Sequence, residues 1–196
     1  MRRNAVLGVL FAAVAVGLVG CAPRTYHHPP APASLITGVR DFTVEPIQFD
    51  MMQVGRLAEA EYAERRMGVS HERYERDKQM LSGEFFARLF ARSGGLRLRP
   101  GQAGGGGYTI RPMATFFEPG FYAGVAAEAT ELTLIVQVID PAGRLVDQVP
   151  LREKVGAHWY SASRVERMRE AVRRLADQYA AWLAERTGGP GAYGAY

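Results

Sequence analysis

Ten residues from Thr130 to Ile139 alternate Leu132, Leu134, Val136 and Val138 with Thr133, Ile135, Gln137 and Ile139. A period of two places the first set on one face of a strand and the second set on the other. Both faces are partly apolar, which predicts a central strand covered on more than one side. Asp140-Pro141-Ala142-Gly143 follows as a turn with proline at its second position. Arg144 to Arg152 then returns as the other arm of a hairpin, with Pro150 marking its outer edge. A sheet of this kind needs an apolar cover, and the segment from Ser161 to Arg186 supplies one. Its residues Val165, Met168, Val172, Leu175, Tyr179 and Trp182 recur every three or four positions, with Ser161 or Ser163 as cap. The stripe packs on the domain's own sheet or, since the spacing also fits a heptad seam, on a second copy of the chain.

The remaining elements are read the same way. Leu35 to Val44 predicts a first strand through Ile36, Val39, Phe42 and Val44, broken by Glu45-Pro46. Residues 51 to 69 have a thin apolar stripe and read as a surface helix or a mobile excursion. A helix capped by Ser70 carries Tyr74, Leu81, Phe85, Phe86, Leu89 and Phe90 and stops at Gly94-Gly95. Tyr108 to Phe117 predicts a strand with Tyr108, Ile110, Pro112, Ala114 and Phe116 on one face. With 47% hydrophobic and 22% charged residues, the expectation is a single small α+β domain over residues 35–187. It has a mainly antiparallel or mixed sheet of about four strands, packed by two amphipathic helices. A Gly/Tyr-rich tail, 188–196, is expected to be disordered.

The N-terminus is of a different kind. Met1-Arg2-Arg3-Asn4 is a short basic stretch, and the 15 residues from Ala5 to Val19 carry no charge. That run is shorter than the roughly 20 residues of a permanent membrane helix but suits a signal peptide. It ends in Leu18-Val19-Gly20-Cys21, which resembles the lipobox of bacterial lipoproteins. The resemblance implies that residues 1–20 are removed between Gly20 and Cys21. It also implies that Cys21, the sole cysteine, carries a diacylglycerol thioether and an acylated amine, so membrane lipid is a partner through Cys21. Each buried methylene contributes about 0.8 kcal/mol, so two or three chains hold a protein to a bilayer lastingly. Ala22 stands where an Asp would resemble an inner-membrane retention signal, which points to the inner leaflet of the outer membrane, facing the periplasm. Residues 21–34 contain four prolines and form an extended tether; the 13 residues after Cys21, at about 3.1 Å each, reach roughly 40 Å.

Without Arg2 and Arg3 the mature chain has 22 basic against 20 acidic groups, too even a balance for nucleic acid. One cysteine excludes a disulfide framework and a multi-thiolate zinc site. His27-His28 sit on the tether without further ligands, so no metal or other cofactor is expected. His71 heads a charged helix, and His158 precedes Ser161 and Ser163 at a spacing that makes no triad. Gly101 to Gly107 lacks the Lys-Ser/Thr ending of a phosphate loop. In outline, the Asp140–Gly143 hairpin, Phe42-Thr43-Val44 and Phe117-Glu118-Pro119-Gly120 resemble small lipoproteins related to the N-terminal domain of TolB and to the curli secretion lipoprotein CsgG. Phe121 and Tyr122, among glycines and small residues, form an exposed interaction loop or a turn tucked into the core. The expected function is that of a non-enzymatic envelope lipoprotein that holds or joins an assembly through a protein partner, with a homo-oligomer allowed. The alternative is a small-ligand or glycan-binding protein, or a hydrolase, with a pocket that contains His71 or His158.

Overall fold

The strand predicted at the centre of the sheet is there. In a computed structural model, which describes residues 34–102, 107–123, 127–157 and 163–188, β8 (Thr130–Ile139) lies between β5 (Tyr108–Glu118) and β9 (Leu145–Val155). It is antiparallel to both, with Val136 opposite Pro112 on one side and Val149 on the other. Leu132, Leu134, Val136 and Val138 are buried, while Thr133, Ile135 and Gln137 on the reverse face are half-buried. The turn into β9 is built on Asp140. Its Oδ1 accepts from the amides of Ala142 and Arg144, each at 2.9 Å, and its carbonyl accepts from Gly143 N. Gly143 has φ +79°, which glycine adopts without strain.

The other edge of β5 is covered by an interrupted strand. β1 (Asp41–Val44) pairs parallel with its start, Phe42 opposite Tyr108. Gln48 bridges to Met113, and β2 (Gln53–Val54) pairs parallel with Phe116 and Phe117. Pro46, which has no amide to donate, falls in the first interruption. β3 (Leu57–Ala58) folds back on β2, and β4 (Arg97–Pro100) adds to β1 in parallel. Among the described residues the sheet is therefore mixed and seven-stranded, larger than the four strands expected. The additional strands are too short to show alternation. A separate two-stranded ribbon joins β6 (Phe121–Tyr122) to β7 (Ala127–Glu128).

Two strand readings need correction. The first strand begins at Asp41 and not at Leu35: Ser34 to Gly38 form a turn, and Gly38 N donates to Thr187 O at 3.1 Å. Ile36 is fully buried, with its turn fastened to the end of the last helix and not to the sheet. In β5 the register shifts between Ala114 and Phe116. That bulge turns Phe117 inward and leaves Phe116 half-buried.

The helices form the other layer. Residues 51 to 69 supply the β2–β3 hairpin and a short α1 (Glu59–Glu64) with no buried residue. α2 (Val69–Ala91) starts at Gly68, φ +56°, and has no side-chain cap, so Ser70 lies inside the helix and is not its cap. α3 (Arg164–Arg186) is capped by Ser163, whose Oγ accepts from Glu166 N at 3.4 Å. Its stripe is consumed within the domain. Met168, Val172, Leu175 and Tyr179 are fully buried, and α3 lies across β8 and β9, so little of the stripe is left for a coiled coil. Full burial of each such side chain contributes about 1.5–3 kcal/mol. α2 buries Tyr74, Leu81, Phe85 and Leu89, with the Phe85 and Tyr179 rings 6.4 Å apart. Asp77 pairs with Arg164, Glu84 with Arg173 and Arg88 with Asp177. Residue numbers rise together along both helices, so α2 and α3 run parallel.

Candidate functional site

The two ends of this layered structure differ. The Ser34–Gly38 turn, the end of α3 and the Asp140–Gly143 turn share one end, where Gly38 bonds Thr187 and Arg186 pairs with Asp147. Ser34, the first described residue, lies at this end, as do the exposed Leu35 and Leu145. The opposite end holds the last residues of β5, the starts of α2 and α3, the β2–β3 turn and the β6–β7 ribbon. Phe121, Val69 and Met67 project from this second end, 49%, 59% and 85% exposed.

The ribbon stands on a rigid base. Thr130 Oγ1 donates to Pro119 O at 2.8 Å and accepts from Arg167 Nε at 3.2 Å. Gly120 N donates to the Glu118 carboxylate at 3.2 Å. Gly120 has φ +64°, and a Cβ there would lie 2.5 Å from Glu128 O. Only glycine lets the two arms come this close. Of the two aromatic residues read as a candidate contact loop, Phe121 is half exposed on β6, opposite Glu128. Tyr122 pairs with Ala127 through its backbone, and its side chain lies outside the described residues.

Ionisable clusters in the fold act as ties. Lys78 Nζ donates to Glu59 at 2.9 Å and to Glu75 at 2.8 Å, and it stands 5.0 Å from the Tyr74 ring centre. Desolvation works to lower the Lys78 pKa, but the hydrogen bonds to Glu75 and Glu59 outweigh it and hold the ammonium charged. Burial, with the Glu59 carboxylate beside it, raises the Tyr74 phenol above its ordinary range. Both shifts run opposite to what an amine or phenol nucleophile requires. Glu153 is raised by desolvation, against the pull of Arg174. The groups around it are Arg174, Gln178 and Glu170. Among the described residues no three His, Cys, Asp or Glu side chains gather as a metal cage. His71 is exposed on the first turn of α2. Gly20, Cys21, His27, His28, His158, Ser161 and the tail from 189 onward lie outside the described residues.

At the corner between α1 and α2 lies a shallow depression of about 370 Å³, lined by Leu57, Tyr62, Arg65, Arg66, Met67 and Ser70. Arg66 stacks over the Tyr62 ring, 4.3 Å from its centre, and donates to the Tyr62 hydroxyl. Arg65 pairs with Glu61. The sequence reading passed over this corner. Its available signal was Tyr62 and Arg66 four residues apart, followed by Met67 and Val69 between charged runs.

The elements define a small α+β domain with a mixed sheet and helices against it. No helix among the described residues is long and apolar enough to cross a membrane. No family model matches the chain, and no curated protein does. Among solved structures, it is similar to the PelC dodecamer from Paraburkholderia phytofirmans, at 12% identity over 74% of this chain and 89% of that one, TM-score 0.38. A Xanthomonas campestris protein of family DUF330 aligns at 14% identity over 78% and 86%, TM-score 0.41. A minor lipoprotein from Acinetobacter baumannii aligns at 13% over 75% and 91%, TM-score 0.35.

Proposed function

We propose that this chain is a bacterial envelope lipoprotein, held to the periplasmic face of the outer membrane by lipid on Cys21, that acts as a non-catalytic interaction module. The observation that carries the reading is the group of exposed apolar side chains at the end of the domain opposite Ser34. Ser34, the first described residue, lies at the end where Gly38 bonds Thr187, and the exposed Phe121, Met67 and Val69 occupy the other end. A tether that joins the domain at Ser34 leaves Phe121, Met67 and Val69 free to meet a partner at the far end, whereas Leu35 and Leu145, also exposed, lie at the anchor end. Exposed apolar side chains grouped at one end of a soluble domain are a mark of interaction sites.

Cross-linking of the tagged chain in intact cells, with mass spectrometry of what co-purifies and Cys21→Ser as control, tests this function. The reading expects a stoichiometric envelope protein that is lost in the control, with the control itself released from the membrane fraction and unprocessed. Recovery of this chain alone, or membrane retention of the Cys21→Ser variant, would overturn it.

A further inference from the structure

Resting on that reading, we infer that the α1–α2 corner docks an acidic, partly apolar segment of the partner protein. Arg66 takes a carboxylate, and Met67 and Val69 meet the apolar side chains beside it.

Charge at the corner is the first argument. The segment from Arg56 to Lys78 has equal numbers of acids and bases, but most are spent on one another: Arg65 on Glu61, Arg76 on Glu72, Lys78 on Glu59 and Glu75, and Asp77 on Arg164. Among the described residues this pairing leaves Arg56, Arg66 and Arg73 without a carboxylate, against Glu64 alone. The surplus is positive, and it flanks the depression: Arg56 adjoins Leu57, and Arg73 lies one helical turn from Ser70.

The second argument is preorganisation. A guanidinium has five N–H donors in a fixed fork. Arg66 gives one group of them to the Tyr62 hydroxyl and rests its plane over that ring. The side chain is already ordered, so it loses little freedom when a carboxylate arrives. The third argument is shape. A depression of about 370 Å³ bordered by side chains as exposed as Met67, at 85%, is open on one side. Small-molecule sites bury most of their ligand, whereas an open surface rich in Arg, Tyr and Met is the composition of protein–protein contacts.

The test uses the full chain in cells, with Met67→p-benzoylphenylalanine as a photo-cross-linker and the same reporter placed separately at Phe121 and at the exposed Ala181 of α3. Irradiation at position 67 should yield one protein adduct whose cross-linked peptide is rich in Asp and Glu. Arg66→Glu in that background should cut the adduct about tenfold or more. Arg66→Lys, which keeps charge but loses the fork, should cut it less, and both variants should retain the parent melting temperature. An adduct indifferent to Arg66→Glu, a neutral or basic cross-linked peptide, a lipid adduct or a second copy of this chain would each overturn the proposal. Capture from Phe121 without capture from 67 would overturn the corner alone and leave the interaction reading standing. No capture from any of the three positions would remove both.

Discussion

Arg167 Nε donates to Thr130 Oγ1 at 3.2 Å, and the two residues are 4% and 0% exposed. The contact joins the first turn of α3 to the first residue of β8. Because the same hydroxyl donates to Pro119 O at 2.8 Å, one threonine ties the helix layer, the sheet and the root of the β6–β7 ribbon together. The buried hydroxyl both donates and accepts, and its loss removes one hydrogen bond from each of these partners.

Thr130→Val keeps the shape and removes that hydroxyl. Losing a buried hydrogen bond costs about 1–3 kcal/mol, and a domain of this size loses roughly 2–4 °C per kcal/mol. Calorimetry should therefore show a melting temperature lower by roughly 2–12 °C. Hydrogen exchange should show faster exchange in 119–123 and 127–130 than in β9. An unchanged melting temperature would show that Thr130 does not tie these layers.

Phe121→Ser should behave differently. Phe121 is half exposed on a ribbon outside the main sheet, so the variant should lose less than about 1 kcal/mol and melt within a few degrees of the parent. A large fall would place the ring in the core and withdraw it from the contact surface.

The parts of this fold that could be read in advance are those specified by contacts close in sequence. The β8–β9 hairpin is written in a ten-residue alternation with an Asp-Pro-Ala-Gly turn, and α3 in a long stripe with a serine cap. β4 is Arg-Leu-Arg-Pro, with Leu98 as its one large apolar side chain. Its pairing with β1, from Asp41–Arg97 to Val44–Pro100, joins residues more than fifty apart, and no local pattern announces it. The same holds for the bulge that exchanges Phe116 for Phe117. Of the candidate surface, the Phe121 loop was legible as two alternatives, because aromatic residues among glycines fit either a core turn or an exposed ribbon. The Arg66 corner was less so, since only the folded chain reveals which of its many charges are already paired.

The turn that was legible has a pH signature. Asp140 is held below its ordinary pKa by the hydrogen bond from Arg144 N, against desolvation, with further help from the Arg144 side chain and Ala142 N. A depressed native value means that the ionised form stabilises the fold. That contribution is fully present above the unfolded value near 3.9 and is lost as pH falls through the lower native value. Asp140→Ala should therefore melt below the parent at pH 7. The gap should close as both are titrated from pH 4 toward pH 2, whereas a gap that stays constant over that range would assign the loss to backbone geometry alone.

The Lys78–Glu59 pair should tie α1 to α2 and not serve chemistry. Its side chains are 18% and 13% exposed, so removing one partner leaves a charge with little water to replace it. Lys78→Met should cost about 1–3 kcal/mol in urea unfolding, from the uncompensated carboxylate and the lost hydrogen bonds. Adding Glu59→Gln, which removes the stranded charge, should recover more than about half of that loss, since paired removal of a buried ion pair is often close to neutral. A double variant as unstable as the single one would show that Lys78 acts through its packing on the rings of Tyr74 and Phe49, whose centres lie 5.0 and 5.8 Å from its Nζ, rather than through its charge.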